Sequence, residues 1–98
     1  MGRKSSYLEQ IDKFIGRKIY FLRLAKGLSR AELSKVIDVT YQQLQKYENG
    51  TNRVSASRLL LIAKALEHEI PYFYEGFEKS DNRGVRYCKK IGSLNKSN

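Results

Sequence analysis

Apolar residues recur every three or four positions along most of the chain, and no stretch alternates apolar and polar residues for long. This pattern predicts an all-α fold, because side chains repeat every 3.6 residues in a helix and every two in a strand. The apolar spacing over Ile11 to Leu22 indicates a first helix that starts within Leu8 to Asp12. Gly27 can adopt the left-handed backbone that commonly ends a helix. Phe14 and Phe21 are expected to widen the apolar face of this helix.

Later helices have recognisable start signals. Ser29 and Glu32 form S-x-x-E, a capping box in which the hydroxyl accepts from a free backbone N–H and the carboxylate reaches back. Thr40 and Gln43 form T-x-x-Q, the same device, and Ser55 can cap a further helix. We expect the second helix to reach about Ile37, the third to end near Asn49-Gly50, and a short fifth helix to begin around Pro71.

Only Asp38 and Val39 separate the second helix from the capped start of the third. So short a connection forces the two helices to cross steeply, which is the geometry of a helix-turn-helix. We expect one domain over residues 11–76, an N-terminal arm over 1–10, and a basic tail of low intrinsic order over 77–98. Three apolar residues of the tail could still dock on another surface: Val85, Tyr87 and Ile91.

The third helix is expected to pack Leu44 and Tyr47 against the core. At 100° per residue, the outward side chains are then those of Gln42, Gln45, Lys46 and Asn49, with Tyr41 and Gln43 on the flanks. Glutamine can pair with the major-groove edge of adenine, lysine can donate to guanine, and an aromatic ring can touch the thymine methyl group. A glutamine-rich face taken alone is typical of a solvated helix. The spacing of the two capped helices favours a base-contacting face here.

The chain holds 19 Lys and Arg against 10 Asp and Glu, a net charge of +9 that favours a polyanionic partner. Residues 13–53 carry nine basic and three acidic residues, whereas residues 62–78 carry one basic and four acidic residues. One part of the protein is therefore expected to face a polyanion while another faces away. The residues suited to phosphate oxygens are Arg30, Arg53 and the loop residues Asn49, Thr51 and Asn52.

Other protein classes fit the sequence poorly. No apolar run approaches the roughly 18 residues that span a bilayer, and the first ten residues lack the apolar stretch of a secretory signal. We therefore expect a cytosolic protein that does not contact membranes. Cys88 and His68 are the single residues of their types, which leaves neither a zinc cluster nor a catalytic set of acid, base and nucleophile. We expect no metal, no cofactor and no enzymatic activity, and interpret Cys88 as an ordinary thiol of the tail.

Residues 15–76 resemble the Cro/C1-type helix-turn-helix family, typified by phage repressors and XRE-like bacterial regulators. The resemblance rests on R-x-x-K-G-L-S before the second helix, A-E-L within it, and T-x-Q-x-L-x-K-Y-E-N-G through the third. It is strongest for a bacterial subgroup of chromosomal regulators, in which T-x-Q-Q-x-Q-K-Y-E is followed by N-R-x-S-x-S-R-L. The resemblance implies a five-helix, lambda-repressor-like domain that binds double-stranded DNA in a sequence-specific manner.

The resemblance also implies roles for individual positions. Arg23 and Glu48 stand where the family has a structural ion pair, and Glu48 lies toward the inward side of its helix. Arg30 replaces a common glutamine, and Asp38 replaces a common glycine but tolerates a left-handed backbone. The implied base contacts are Tyr41, Gln42 and Lys46, to which the geometry adds Gln45. The implied phosphate contacts are Arg30, Thr40, Gln43 and the loop after Asn49.

We interpret the chain as a transcriptional regulator, whether activator or repressor, that binds a palindromic operator as a homodimer. The alternative is the DNA-binding antitoxin of a toxin–antitoxin pair, in which the basic tail would bind an acidic protein partner. The dimer is expected to form through the fourth and fifth helices, because four aromatic residues in six positions exceed what a short terminal helix needs for its own core. These residues are Tyr72, Phe73, Tyr74 and Phe77.

Overall fold

The computed structural model describes residues 6–77, which form four α-helices and a 3₁₀ helix. The elements are α1 over Ser6–Lys26, α2 over Arg30–Val36, α3 over Tyr41–Glu48, α4 over Ala56–Leu66, and the 3₁₀ helix over Ile70–Tyr74. No strand occurs within the described range, and the predicted all-α class is confirmed. No helix within residues 6–77 is both long enough and apolar enough to cross a membrane.

The fifth element differs from the prediction, because it is a 3₁₀ helix and not an α-helix. Pro71 stands at its start and lacks a backbone N–H, which removes one donor from the first turn. Runs of only five residues commonly take the tighter 3₁₀ geometry, in which hydrogen bonds join residues three apart. The segment nevertheless begins where the sequence predicted.

α1 begins at Ser6, before the predicted range, so residues 6–10 of the expected arm are helical. Tertiary contacts support this start, since the Tyr7 ring lies 5.9 Å from the Phe77 ring and Asp12 is buried. A prediction from aliphatic spacing cannot detect either contact. The rest of the expected tail, from residue 78 onward, lies outside the described residues, and so do Val85, Tyr87, Cys88 and Ile91.

The predicted helix caps are present. Ser29 Oγ accepts from the Glu32 N–H at 3.0 Å and Glu32 Oε1 accepts from the Ser29 N–H at 2.8 Å, which completes the capping box of α2. Ser55 Oγ likewise accepts a backbone N–H in the first turn of α4. Thr40 Oγ1 accepts from the Gln43 N–H at 3.0 Å, but within residues 6–77 the Gln43 side chain does not return a hydrogen bond. Only half of the box predicted for α3 is therefore formed.

All five elements contribute to one core. Phe73 of the 3₁₀ helix is fully buried within it, whereas Phe21 of α1 leaves 56% of its surface exposed. The expectation that Phe21 widens the inward face of α1 is therefore wrong, because this side chain falls on the solvent side of the helix. The other large side chains at the centre of the core are Ile19, Leu33, Ile37, Leu44, Ile62 and Leu66.

The end of α3 rests directly on α1 at two glycines. A Cβ added to Gly16 would lie 2.6 Å from the carbonyl oxygen of Glu48 and would also meet the carbonyl of Tyr47. A Cβ added to Gly50 would lie 2.8 Å from Lys13 Cα, and Gly50 has a φ of +79°. Because these neighbours are backbone atoms, they cannot rotate away. The two glycines therefore set the distance between α1 and α3.

We expect Gly16→Ala to lower the free energy of unfolding by about 1–3 kcal/mol, since the added methyl group would push α3 away from α1. Thermal and urea unfolding measure this change. Inside an uncrowded helix the same substitution is favourable by about 0.8–1.0 kcal/mol. The sign of the effect is therefore informative, and a Gly16→Ala variant that melts at a higher temperature than the parent would contradict the close packing.

Candidate nucleic-acid interface

The turn between α2 and α3 is held from both sides. Asp38 has a φ of +61°, the left-handed backbone that its position was predicted to adopt. The Val39 N–H donates to the Ser34 carbonyl at 3.0 Å, which closes the turn from within. From outside, Arg58 Nη1 of α4 donates to the Ile37 carbonyl at 2.9 Å. The Arg58 side chain therefore helps to cap α2.

α3 presents the predicted face to solvent. Leu44 and Tyr47 are buried, as predicted, and Tyr41 at the start of the helix is 45% exposed. No acidic side chain occurs on the helix before Glu48, which is itself buried. The exposed surface of α3 therefore consists of amide, ammonium and phenol groups. Its members are Tyr41, Gln42, Gln45 and Lys46, followed by Asn49 at the C-terminal cap.

The ion pair predicted between Arg23 and Glu48 is present in the structure. Arg23 Nε donates to Glu48 Oε2 at 2.7 Å and Arg23 Nη2 donates to Oε1 at 3.3 Å. Both side chains are almost fully buried, with 6% and 4% of their surfaces exposed. The guanidinium also donates to the Leu28 carbonyl at 3.0 Å, which ties the end of α1 to the connection before α2. The pair therefore joins α1 to the C-terminal end of α3.

Arg30 shares the same carboxylate, which the sequence did not predict. Its Nε donates to Glu48 Oε1 at 2.9 Å, and its Nη1 donates to the Tyr41 hydroxyl at 3.2 Å. The hydrogen bond to the Glu48 carboxylate and, to a smaller extent, that to the Tyr41 hydroxyl raise the pKa of the Arg30 guanidinium. Arg30 therefore joins both ends of α3 instead of extending freely toward a phosphate. The one available signal was its departure from the glutamine that the family commonly has at this position.

The loop after α3 is also preorganised. Asn49 Oδ1 accepts from the Thr51 N–H at 3.1 Å and from the Thr51 hydroxyl at 2.6 Å. Arg53 Nε lies 3.3 Å from each carboxylate oxygen of Asp12, and the Arg53 side chain remains 52% exposed. Asn52 is half-buried. The N–H groups of Thr51 and Asn52 donate to the Lys46 carbonyl at 2.9 and 3.2 Å, which holds the loop against the end of α3.

The remaining predicted phosphate contacts, Thr40 and Gln43, both lie at the start of α3. Thr40 is exposed, although its hydroxyl oxygen is occupied by the capping bond. Gln43 is half-buried and lies between the exposed face and the core. Gln42, one position earlier, is exposed.

The four aromatic residues proposed for a dimer interface have different environments. Phe73 is fully buried in its own chain, so its assignment to the interface is wrong. Tyr72 is half-buried beneath Lys18 Nζ, which lies 4.4 Å from its ring centroid, and Phe77 packs on the Phe14 ring at 5.4 Å. Tyr74 is 40% exposed. Aromatic density alone could not distinguish core residues from surface residues.

Comparison with known proteins identifies the fold. A sequence model of the helix-turn-helix family matches residues 19–73, which is more than half of the chain and includes α2 and α3. The chain is a member of the Cro/C1-type helix-turn-helix family. The resemblance carried by the motifs of α2 and α3 is thereby confirmed.

Several relatives of this helix-turn-helix protein are bacterial. An uncharacterised HTH-type transcriptional regulator of Rickettsia conorii is 62% identical over 81 residues, which cover 83% of this chain and 65% of the relative. An uncharacterised transcriptional regulator in the ATPase CF(0) region of Rhodospirillum rubrum is 43% identical over 76 residues, covering 78% and 70%. This helix-turn-helix chain therefore spans just under two thirds of the length of the rickettsial relative.

One similar solved structure is that of the restriction-modification controller protein C.AhdI from Aeromonas hydrophila. It shares 31% sequence identity with this helix-turn-helix chain at a TM-score of 0.60. The alignment covers 65% of this chain and 96% of the controller protein. Nearly the whole of that protein is thus matched by the helical domain described here.

We expect Glu48→Gln to lower the free energy of unfolding by about 3 kcal/mol, because it leaves two guanidinium groups against a neutral amide. Urea unfolding measures the loss. Glu67→Gln is the matched control, since Lys26 Nζ lies 2.8 Å from the Glu67 carboxylate and lowers its pKa, but this pair is at the surface. Equal effects of the two substitutions would show that the buried pair does not brace α3.

Proposed function

We propose that this protein is a DNA-binding transcriptional regulator that inserts α3 into the major groove. The observation that carries the proposal is the exposed face of α3, which lacks acidic groups and is braced at both ends by Arg23 and Arg30 through Glu48 and Tyr41. With its side chains an α-helix is about 10–12 Å in diameter, which suits a major groove about 12 Å wide. We assign it to the bacterial cytosol, without a catalytic step.

Two kinds of contact are expected along this surface. Gln42, Gln45 and Lys46 supply hydrogen bonds to base edges, and the Tyr41 ring contacts a thymine methyl group. Contacts to phosphate oxygens are expected from Arg53 and from the loop residues Asn49, Thr51 and Asn52. Thr40, Gln43 and the Nη2 group of Arg30 are expected to add to these contacts. Charge supports this orientation, because residues 13–53 are predominantly basic and residues 62–78 are predominantly acidic. The acidic end would face away from DNA.

The protein is expected to act as a homodimer. On α4 and the 3₁₀ helix, the large apolar side chains with substantial exposure are Leu60 at 46%, Leu61 at 40% and Tyr74 at 40%. Burying these groups against a second copy would remove apolar surface from water. A two-fold dimer of this motif places its recognition helices about 34 Å apart, so the operator would be a palindrome with half-sites about one helical turn apart.

Selection of bound fragments from random DNA, followed by affinity measurements on half-site variants, tests the base contacts. We expect Gln42→Ala and Lys46→Ala each to weaken binding to the selected site by about 1–3 kcal/mol and to relax preference at particular base pairs. Gln43→Ala is the matched control, since it removes the same amide one position along the helix. If Gln43→Ala alters base preference while Gln42→Ala does not, the base-contacting face has been assigned to the wrong side of α3.

Arg53→Ala tests the phosphate contacts and should give a different result from the base-contact variants. Loss of one phosphate contact should weaken binding to selected and random DNA alike and reduce the slope of log affinity against log salt by about one. Selection that recovers no preferred sequence and no binding to random duplex DNA would refute the proposed function.

Sedimentation equilibrium tests the dimer. We expect the double variant Leu60→Ser/Leu61→Ser to sediment as a monomer at concentrations at which the parent protein is a dimer, because it removes exposed apolar area from α4. Leu24→Ser is the matched control, since Leu24 is 50% exposed but lies on α1. A parent protein that is monomeric both free and on its operator would contradict the proposal. A dimer that dissociates with Leu24→Ser but not with Leu60→Ser/Leu61→Ser would also contradict it.

A further inference from the structure

α1 begins well before the part of the chain that matches the helix-turn-helix family. The match starts at residue 19, whereas α1 starts at Ser6. We call residues 6–18 the α1 extension. Its inward side touches the end of α3 and the loop that follows, because Gly16 lies against the carbonyls of Tyr47 and Glu48 and Lys13 lies against Gly50. A helix segment outside the family match therefore supports the loop that carries predicted phosphate contacts.

The α1 extension contains a buried carboxylate. Asp12 has 5% of its side chain exposed, and Arg53 Nε lies 3.3 Å from each of its two carboxylate oxygens. A buried carboxylate is costly unless it is paired. Arg53 is one of the partners of Asp12, and their contact restrains the Nε side of the guanidinium. Because these bonds use Nε and the Arg53 side chain is 52% exposed, its terminal NH₂ groups remain available to a ligand.

We propose that Asp12 is a positioning residue for DNA binding, which holds Arg53 in the conformation that meets a phosphate. This inference rests on the proposed function, in which Arg53 contacts the DNA backbone. A free arginine loses rotamer freedom when it binds, and ordering one such side chain costs about 0.5–1.5 kcal/mol. Because Asp12 orders the Arg53 side chain when the protein folds, this rotamer freedom is already lost before DNA binds. An acidic residue of α1 thereby strengthens binding to a polyanion.

The sign of the effect separates this role from simple electrostatics. Asp12→Asn makes the protein one unit more positive, so long-range attraction alone would tighten binding to DNA. Loss of positioning would instead weaken it, by roughly two- to tenfold for one side chain that is no longer preordered. Glu9→Gln is the matched control, because it removes the same charge from an exposed position of the same helix.

The experiment compares the full chain with Asp12→Asn, Glu9→Gln, Arg53→Gln and the double variant Asp12→Asn/Arg53→Gln on a selected duplex and on a random duplex. We expect Asp12→Asn to weaken binding to both duplexes with the salt slope unchanged, because Arg53 still contacts the phosphate once it is ordered. Glu9→Gln is expected to bind as tightly as the parent or more tightly. In the Arg53→Gln background, Asp12→Asn should cause no further loss of affinity. Melting temperatures of all variants identify any loss that arises from unfolding.

Each outcome bears on a separate claim. A parent protein that binds neither duplex refutes the proposed function itself. A parent that binds DNA while Asp12→Asn matches Glu9→Gln in affinity overturns the positioning role of Asp12. Additive losses from Asp12→Asn and Arg53→Gln also overturn it, because they would show that Asp12 acts independently of Arg53.

Discussion

The arrangement of the helices depends on one buried carboxylate. Glu48 lies at the C-terminal end of α3, where the helix dipole is negative and a carboxylate is intrinsically unfavourable. Two guanidinium groups offset this, with Arg23 from α1 and Arg30 from α2 both donating to it. Since Arg30 also bonds the Tyr41 hydroxyl, the orientation of α3 is fixed at its last turn and at its first. An eight-residue helix could not hold this orientation through its own hydrogen bonds.

The local features of this fold were predictable from the sequence. The caps at Ser29, Thr40 and Ser55 and the left-handed Asp38 were found where expected, because each depends on chemistry within a few neighbouring residues. Gly16 carried a signal that the prediction did not use. A glycine in the middle of a helix costs up to about 1 kcal/mol relative to alanine, so its presence there indicates close packing.

Contacts between residues that are distant in the sequence were harder to predict. The family resemblance implied the pair of Arg23 and Glu48, but nothing in the local pattern joins Arg30 to Glu48 or Arg53 to Asp12, which is 41 residues away. Helical spacing also left the aromatic residues ambiguous, since it gives the angle of a side chain about its own helix but not which side the rest of the fold covers. For that reason Phe21 was expected inside and Phe73 at an interface.

The 3₁₀ helix has a consequence for how the domain opens. Phe73 is its one fully buried residue, and a helix of five residues has little stability of its own. This segment is therefore held in place by tertiary contacts, with Phe73 inside the core and Ile70 packed against it. Its backbone amides should exchange with solvent through brief local detachment, whereas those in the middle of α1 and α4 exchange only when the whole domain unfolds. We accordingly expect fast exchange at the 3₁₀ helix and slow exchange in the helical frame that it packs against.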